Sequence, residues 1–184
     1  MIEAFLNSTL IVALTEMGDK TQLLALVLMV KFKKPIPILW GIFVATVLNH
    51  ALASSVGVWV SEQVPELYMK WGLAILFWGF GAWVLIPDKE DKEELKDHHG
   101  IFLTTLIVFF LAEMGDKTQL ATVAMAAKYQ NLLGVTLGST FGMMISNGMA
   151  VIWGPRLIKK IPMHWMHRIA SALFILMGFL ILLN

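Results

Sequence analysis

Two copies of one acidic octapeptide hold most of the residues in this sequence that could do chemistry. The letters EMGDKTQL stand at positions 16–23 and again at 113–120. Each copy supplies two carboxylates, whose oxygens are hard ligands that suit Ca²⁺, Mn²⁺ or Mg²⁺ better than zinc or copper. We therefore predict that one divalent cation binds to the four acids of the two copies, which are Glu16, Asp19, Glu113 and Asp116.

A lysine stands beside each pair of acids. On an ideal helix Glu16, Asp19 and Lys20 share one face, because positions i, i+3 and i+4 are neighbours. Four ionised acids together with Lys20 and Lys117 leave a charge of −2, which one divalent cation neutralises. We expect the two lysines to balance the acids when no metal is bound. The alternative, a structural ion pair between each glutamate and its lysine, would leave both aspartates buried without a partner.

Further residues in or near the two copies are candidates to complete the site. Amide oxygens are hard ligands as well, and a thioether is a softer ligand that Mn²⁺ tolerates better than Ca²⁺ or Mg²⁺ does. A glycine between the acids allows a helix to unwind locally. The candidates are the amides Gln22, Gln119, Asn49 and Asn147, the thioethers Met17 and Met114, and, for helix distortion, Gly18 and Gly115. Thr21 and Thr118 point away from the acidic face on an ideal helix, although a distortion at the glycine could bring their hydroxyls back.

The stretches that surround these charges are long and apolar. Apolar residues make up 58% of the 184 residues and charged residues only 15%, whereas an ordinary soluble domain has about 45–50% apolar residues. Each of six stretches is long enough to cross a ~30 Å hydrocarbon core as a helix of about 20 residues. The sequence predicts an all-α membrane protein with six transmembrane helices, at 4–30, 36–60, 68–86, 101–127, 132–154 and 165–183.

The octapeptides belong to a longer repeat with an offset of 97 positions. Weaker matches are Lys31 with Lys128, Gly41 with Gly138, Asn49 with Asn147 after a one-residue gap, and the Gly-Phe pairs at 79–80 and 178–179. The unit is three helices used twice, and an odd number of spans predicts that the second copy lies upside down in the membrane, as in many secondary transporters. We divide the chain into a first three-helix repeat (1–86), an acidic linker (87–100) and a second, inverted three-helix repeat (101–184).

Basic residues predict the orientation in the membrane. The loops after the first, third and fifth predicted helices carry ten of the fourteen Lys and Arg residues, and the opposite side has only Lys70 and Lys128. The positive-inside rule therefore places these three loops, including the acidic linker, in the cytoplasm and both termini outside. No clustered basic surface indicates a nucleic-acid partner.

His50 and the linker are weaker candidates. His50 could relay protons or contact metal, but in the gapped alignment its counterpart is Gly148, which places His50 outside the symmetric site. The linker contains six acids with His98 and His99 and could collect cations, although a solvated connection explains it better.

The pattern E-x-G-D-(K/R)-(T/S), present twice in a six-span chain, resembles the manganese and calcium transporters of the Golgi type and their bacterial relatives. The resemblance covers essentially the whole chain. It implies cation:proton exchange, two inverted three-helix repeats, and a metal site built from Glu16, Asp19, Glu113 and Asp116. It also implies the short bacterial form, a multi-pass protein of the inner (plasma) membrane. The transported metal differs within the family, and the resemblance favours Mn²⁺.

We therefore expect a secondary transporter, not an enzyme, that exports Mn²⁺ from the cytoplasm in exchange for protons, with Ca²⁺ as a second cargo. The expected partners are the divalent cation and the lipid bilayer, with no cofactor and no obligate protein partner. A divalent-cation channel or uniporter stays open, because acidic rings also select cations. An intramembrane metalloenzyme fits less well, since it needs an asymmetric base or nucleophile rather than two identical copies.

Overall fold

The computed structural model describes residues 1–86, 100–154 and 163–183, and in these ranges the chain is all-α. The linker at 87–99 and the basic segment at 155–162 lie outside the described residues. The described helices are α1 (Ile2–Thr15), α2 (Lys20–Phe32), α3 (Pro35–Gln63), α4 (Glu66–Trp83), α5 (Ile101–Glu113), α6 (Lys117–Tyr129), α7 (Leu132–Trp153) and α8 (Met163–Leu183).

The helices present large apolar side chains on their outer surface. Trp40, Trp59, Tyr68 and Phe141 are each more than half exposed, an arrangement that suits a hydrocarbon environment rather than water. By length and composition, α3, α7 and α8 are long and apolar enough to cross a membrane. The all-helical membrane class that the sequence predicts is therefore supported.

The first and fourth predicted spans are not continuous helices. The stretch 4–30 contains α1 and α2, separated by residues 16–19, and 101–127 contains α5 and α6, separated by residues 114–116. At each break a glycine has a positive φ, 84° at Gly18 and 76° at Gly115, a conformation that other residues adopt only with strain. The prediction that Glu16, Asp19 and Lys20 share one face of an ideal helix is therefore wrong, because the helix ends before Glu16.

The helix boundaries repeat along the chain with the offset of the octapeptides. Both α2 and α6 are 13 residues long, and they begin at Lys20 and Lys117. Each of these helices ends at a residue in the left-handed conformation, Lys33 with φ 54° and Gln130 with φ 46°. The two halves thus share their local geometry even where their sequences differ.

Close helix crossings repeat in the same way. A β-carbon added at Gly41 would lie 2.9 Å from the carbonyl oxygen of Phe102, where α3 crosses α5. One added at Gly138 would lie 2.9 Å from the Cα of Phe5, where α7 crosses α1. Phe5 and Phe102 are themselves 97 positions apart, so the two crossings are equivalent.

The crossing of α4 and α8 corrects one detail of the repeat. Gly81 packs against Ser171, and Gly178 packs against Ala74. Gly178 is therefore the counterpart of Gly81, and the Gly-Phe alignment of 79–80 with 178–179 is wrong by two residues. A later residue of α4 meets an earlier residue of α8, so these two helices run in opposite directions.

Other pairs run in the same direction. Gly138 of α7 packs against Phe5 of α1, and Gly142 packs against Thr9, so the order of contacts rises along both helices. The equivalence of Gly41 and Phe102 with Gly138 and Phe5 indicates the same relation for α3 and α5. These directions are those of an alternating six-span chain in which α1–α2 and α5–α6 each count as one span.

The buried apolar residues form two clusters. The first, which we call the α4–α8 core, joins α4 and α8 to α1 and α6 through residues such as Phe77, Phe174, Ile11 and Met125. The second, the α3–α5 core, joins α2, α3, α5 and α7. Among the described residues, α4 and α8 contribute to the first core and not to the second. The α4–α8 pair therefore packs against one end of the bundle.

The glycine crossings yield a stability prediction. We expect Gly138→Ala to destabilise the fold by about 1–3 kcal/mol, because the new methyl group overlaps the Phe5 backbone, which cannot move without shifting α1. Gly79→Ala is the matched control, since a β-carbon there meets nothing within 4 Å. The melting temperature in detergent measures the difference, and equal values for the two variants would contradict the close packing of α1 on α7.

Candidate metal site at the two helix breaks

The breaks place both aspartates at helix N-termini. Asp19 and Asp116 are the N-cap residues of α2 and α6, and both have extended backbone angles. The Oδ1 atom of Asp19 accepts a hydrogen bond of 2.9 Å from the Lys20 backbone N–H. The positive end of a helix dipole stabilises a nearby carboxylate. Each break therefore places an aspartate at the N-terminus of the following helix, where the helix dipole stabilises its charge.

Two glutamines hold the breaks in shape. The Gln22 Oε1 atom accepts a hydrogen bond of 2.9 Å from the Gly18 N–H, and Gln119 Oε1 accepts one of 2.7 Å from the Gly115 N–H. These backbone groups lose their helical partners at the break, and the glutamine side chains replace those partners. The predicted ligand oxygens of Gln22 and Gln119 therefore bond to the backbone of the site.

The other ends of these glutamines correct the sequence alignment. The Gln119 amide donates to the Oδ1 atom of Asn49 at 3.3 Å, and the Gln22 amide donates to the carbonyl oxygen and the hydroxyl of Ser146 at 3.0 and 3.1 Å. Ser146 is therefore the counterpart of Asn49 without any gap, and the predicted pairing of Asn49 with Asn147 is wrong. Serine and asparagine occupy equivalent positions because each accepts from the glutamine.

The ungapped register also changes the place of His50. Its counterpart is Asn147, not Gly148, and both side chains are fully buried. Among the described residues, the two ring nitrogens of His50 have no hydrogen-bond partner, and the Oδ1 atom of Asn147 has none either. The Asn147 amide donates to the sulfur of Met143 at 2.8 Å. His50 and Asn147 are thus equivalent buried polar residues, and each directly follows the residue that accepts from a glutamine, Asn49 or Ser146.

Three of the four acids meet between the breaks. Glu16, Asp19 and Asp116 are buried, and each offers a carboxylate oxygen that lies within 4.8 Å of the other two. Two oxygens on opposite sides of a Ca²⁺ ion are up to about 5 Å apart, since each bond is 2.3–2.6 Å. The three acids can therefore bind one divalent ion together, with ligands from both halves of the chain.

Two threonines bind Glu16, which the ideal-helix argument did not foresee. The Thr21 hydroxyl donates to Oε2 of Glu16 at 2.6 Å, and the Thr118 hydroxyl donates to Oε1. The break at Gly18 turns Thr21 back toward the acid, whereas a continuous helix would point it away. The signal in the sequence was the glycine itself, which permits this turn.

Glu113 has a different environment from its repeat counterpart. It is 1% exposed and close enough to Glu16, Asp19 and Asp116 to be repelled by their charges. Among the described residues neither of its carboxylate oxygens has a hydrogen-bond partner, and it is not one of the three acids whose oxygens lie together. Glu113, the fourth predicted ligand, therefore lies near the other three acids, but its oxygens are not part of their cluster.

The two lysines also differ. The Lys20 ammonium lies 3.7 Å from Oδ1 of Asp116, an ion pair between the halves of the chain. The Lys117 ammonium donates to the carbonyl oxygen of Ile86 at 2.8 Å and lies 5.9 Å from the ring centre of Trp83. Lys20 therefore lies beside the acids, whereas Lys117 contacts the end of α4, and the charge-balancing role of the two lysines stays a prediction.

Residues of α8 and of the turn after α4 border the site. A ring nitrogen of His167 lies 2.9 Å from the carbonyl oxygen of Met17, at the first break. Met114, its counterpart at the second break, is 56% exposed. A small cavity beside the cluster is lined by Thr15, Asp19, Val84, Ile86, Lys117, Thr118 and His167. Sequence reasoning missed His167, because nothing in its local pattern points to a residue 150 positions away.

Comparison with known proteins places these features in a family. The family model described as "Divalent cation/proton antiporter GDT1" matches residues 4–92 and 101–184. A Vibrio cholerae protein named "Putative manganese exporter" is 44% identical over 168 residues, which cover 91% of this chain and 84% of the relative. The rice protein GDT1-like protein 3 is 28% identical, covering 95% and 72%. The Synechocystis GDT1-like protein sll0615 is 26% identical, covering 96% and 95%. No solved structure matches.

The geometry of the second break can be tested on its own. A β-carbon at Gly115 meets nothing within 4 Å, so Gly115→Ala changes only the backbone preference at φ 76° and costs about 1–2 kcal/mol. Gly100 is the control, because it also has a positive φ of 79°, is equally open and lies at the start of α5. We expect both alanine variants to lose stability, but only Gly115→Ala to reduce the rise in melting temperature caused by Mn²⁺. Equal Mn²⁺ responses would separate the break from metal binding.

Proposed function

Because the chain belongs to the divalent cation/proton antiporter family GDT1, we propose that it exports Mn²⁺ from the cytoplasm in exchange for protons, with Ca²⁺ as a second cargo. The observation that carries this proposal is the cluster of Glu16, Asp19 and Asp116, whose oxygens lie together at two helix breaks. A site shared by both halves of a duplicated chain suits transport, since each half then contributes to one movable site.

We propose six spans in two inverted repeats, with α1–α2 and α5–α6 as broken spans. The repeated helix boundaries and glycine crossings support the duplication. The parallel pairing of α1 with α7 and the antiparallel pairing of α4 with α8 support the alternation of directions. Broken helices at a binding site near the bilayer centre are a feature of secondary transporters with inverted repeats. Irregular backbone at that depth is tolerated where it lines a protein cavity.

In the proposed orientation, the residues that border the site lie on its cytoplasmic side. If both termini are outside, the α4–α8 core lies at the outer end of the bundle, because α1 and α6 occupy that end. The residues that border the site, Ile86 and His167, then lie toward the cytoplasm. In an alternating-access transporter with inverted repeats, the two repeats exchange such packing between the two states.

The ligand chemistry supports a divalent metal and an energy source. Carboxylates are hard ligands, and Mn²⁺ lies among the ions that they bind well. The Vibrio relative is named for manganese export. Moving a positive ion out of a cell against an inside-negative potential costs about 2.3 kcal/mol per charge per 100 mV. Protons that enter and bind the same carboxylates when metal leaves would supply that energy.

A transport experiment in liposomes tests both Mn²⁺ export and its coupling to proton movement. We expect purified protein in liposomes to move Mn²⁺ against its concentration gradient when a pH gradient is imposed, and a trapped pH dye to report proton movement in the opposite direction. The expected rate is well above that of empty liposomes. The membrane potential is clamped, so that voltage alone cannot drive the ion.

Variants of the cluster separate a shared site from two independent ones. Replacing any one of Glu16, Asp19, Glu113 or Asp116 by its amide should reduce Mn²⁺ flux at least tenfold, because a ligand or a proton site is lost. Glu66→Gln is the control, since Glu66 pairs with Lys70 at the surface. Flux without proton movement would favour a channel or uniporter, and wild-type flux in variants of one octapeptide would refute a single site.

A further inference from the structure

The hydrogen bonds around the two glutamates are not symmetric, although the sequence around them is. Glu16 accepts from Thr21, which lies five residues later, and from Thr118 in the other octapeptide. By the repeat, Glu113 stands in the same relation to Thr118 and Thr21. Among the described residues, however, neither oxygen of Glu113 has a hydrogen-bond partner. Within the described part of the chain, Glu16 thus has two hydroxyl donors and Glu113 has none.

The hydroxyls of Thr21 and Thr118 cannot both donate to Glu16 and to Glu113 at the same time. A threonine hydroxyl carries one hydrogen and donates one hydrogen bond. Two threonines therefore offer two such bonds, and in this structure both go to Glu16. Bonds from a hydroxyl to an ionised carboxylate are stronger than bonds between neutral groups. The glutamate without these donors is correspondingly less well held.

We propose that Thr21 and Thr118 are positioning residues shared by the two glutamates, and that both hydroxyls move from Glu16 to Glu113 when the transporter changes from this state to the opposite one. The proposal rests on the proposed function, since it needs two states in which the repeats exchange roles. In the opposite state Thr118 becomes the local donor to Glu113, and Thr21 becomes the donor from the other octapeptide. The two threonines thus hold Glu16 in one state of the transporter and Glu113 in the other.

The exchange predicts opposite effects for two equivalent substitutions. Glu16→Gln removes a charged acceptor that is used in this state, so it should shift the protein toward the opposite state. Glu113→Gln removes the acceptor used in the opposite state, so it should shift the protein toward the state described here. Each shift should be about tenfold or more in the ratio of the two states, from the loss of hydrogen bonds to a charged group. A fixed structural role for the threonines predicts no such pair of shifts.

Distances between spin labels measure the ratio of states. The sequence contains no cysteine, so pairs of introduced cysteines label cleanly. Leu85 and Ile152, both exposed, report on the cytoplasmic end of the bundle in the proposed orientation, and Leu67 with Leu133 report on the outer end. The experiment uses the full chain in lipid nanodiscs without metal. Wild-type flux in liposomes is measured first, so that a failure of transport is seen separately.

The threonines themselves supply the decisive control. In a Thr21→Val, Thr118→Val background, the shifts caused by Glu16→Gln and Glu113→Gln should disappear, because the hydroxyls that couple them are gone. In a background with serine at both positions the shifts should return. If Glu16→Gln does not fold, Glu113→Gln carries the test with the same controls.

Three results would overturn the proposal. The first is a shift of both glutamine variants in the same direction, or of neither, in a protein that transports Mn²⁺; the proposed function would then survive without the exchange. The second is a pair of opposite shifts that persists without the threonine hydroxyls, which would assign the effect to charge alone. The third is a wild-type protein with one state and no flux, which would remove the proposed function and the exchange together.

Discussion

The structure depends on how three carboxylates are held inside an apolar bundle. An ionised group at such depth is costly unless donors, cations or a helix end surround it. Glu16 takes two hydroxyl donors, Asp19 caps α2, and Asp116 pairs with Lys20. A continuous helix would have no free N–H for Asp19, because its backbone N–H groups bond to its own carbonyls, and it would point Thr21 away from Glu16. The breaks at Gly18 and Gly115 therefore decide the rest of the site.

The cost of each break is offset locally, and this determines residues far from the acids. A free N–H at Gly18 is satisfied by Gln22, and the amide of Gln22 is fixed in turn by Ser146 on α7. The second break uses Gln119 and Asn49 on α3 in the same way. Each octapeptide is thus anchored to a long helix of the other repeat. A glutamine side chain therefore connects each of α3 and α7 directly to the break of the opposite repeat.

The sequence predicted the helical class, the repeat and the burial of the acids, because composition and identical letters carry those signals directly. Helix periodicity could not locate the breaks, since EMGDKTQL fits an ideal helix as well as a broken one. The sequence did not reveal that Asn49 and Ser146 are equivalent, because they are different residue types. A one-residue gap instead aligned Asn49 with Asn147. The contact of His167 with Met17 joins residues 150 positions apart, which no local pattern reveals.

The central claim is that one divalent ion binds between the two breaks, and anomalous scattering tests it most directly. Crystals of the protein soaked in Mn²⁺ and measured just above the manganese absorption edge would locate the metal without reference to the chain. The account predicts one peak, about 2–2.5 Å from carboxylate oxygens of Glu16, Asp19 and Asp116, with ligands from both repeats. Two separate peaks, each held by one octapeptide, or a peak only at the surface would contradict it.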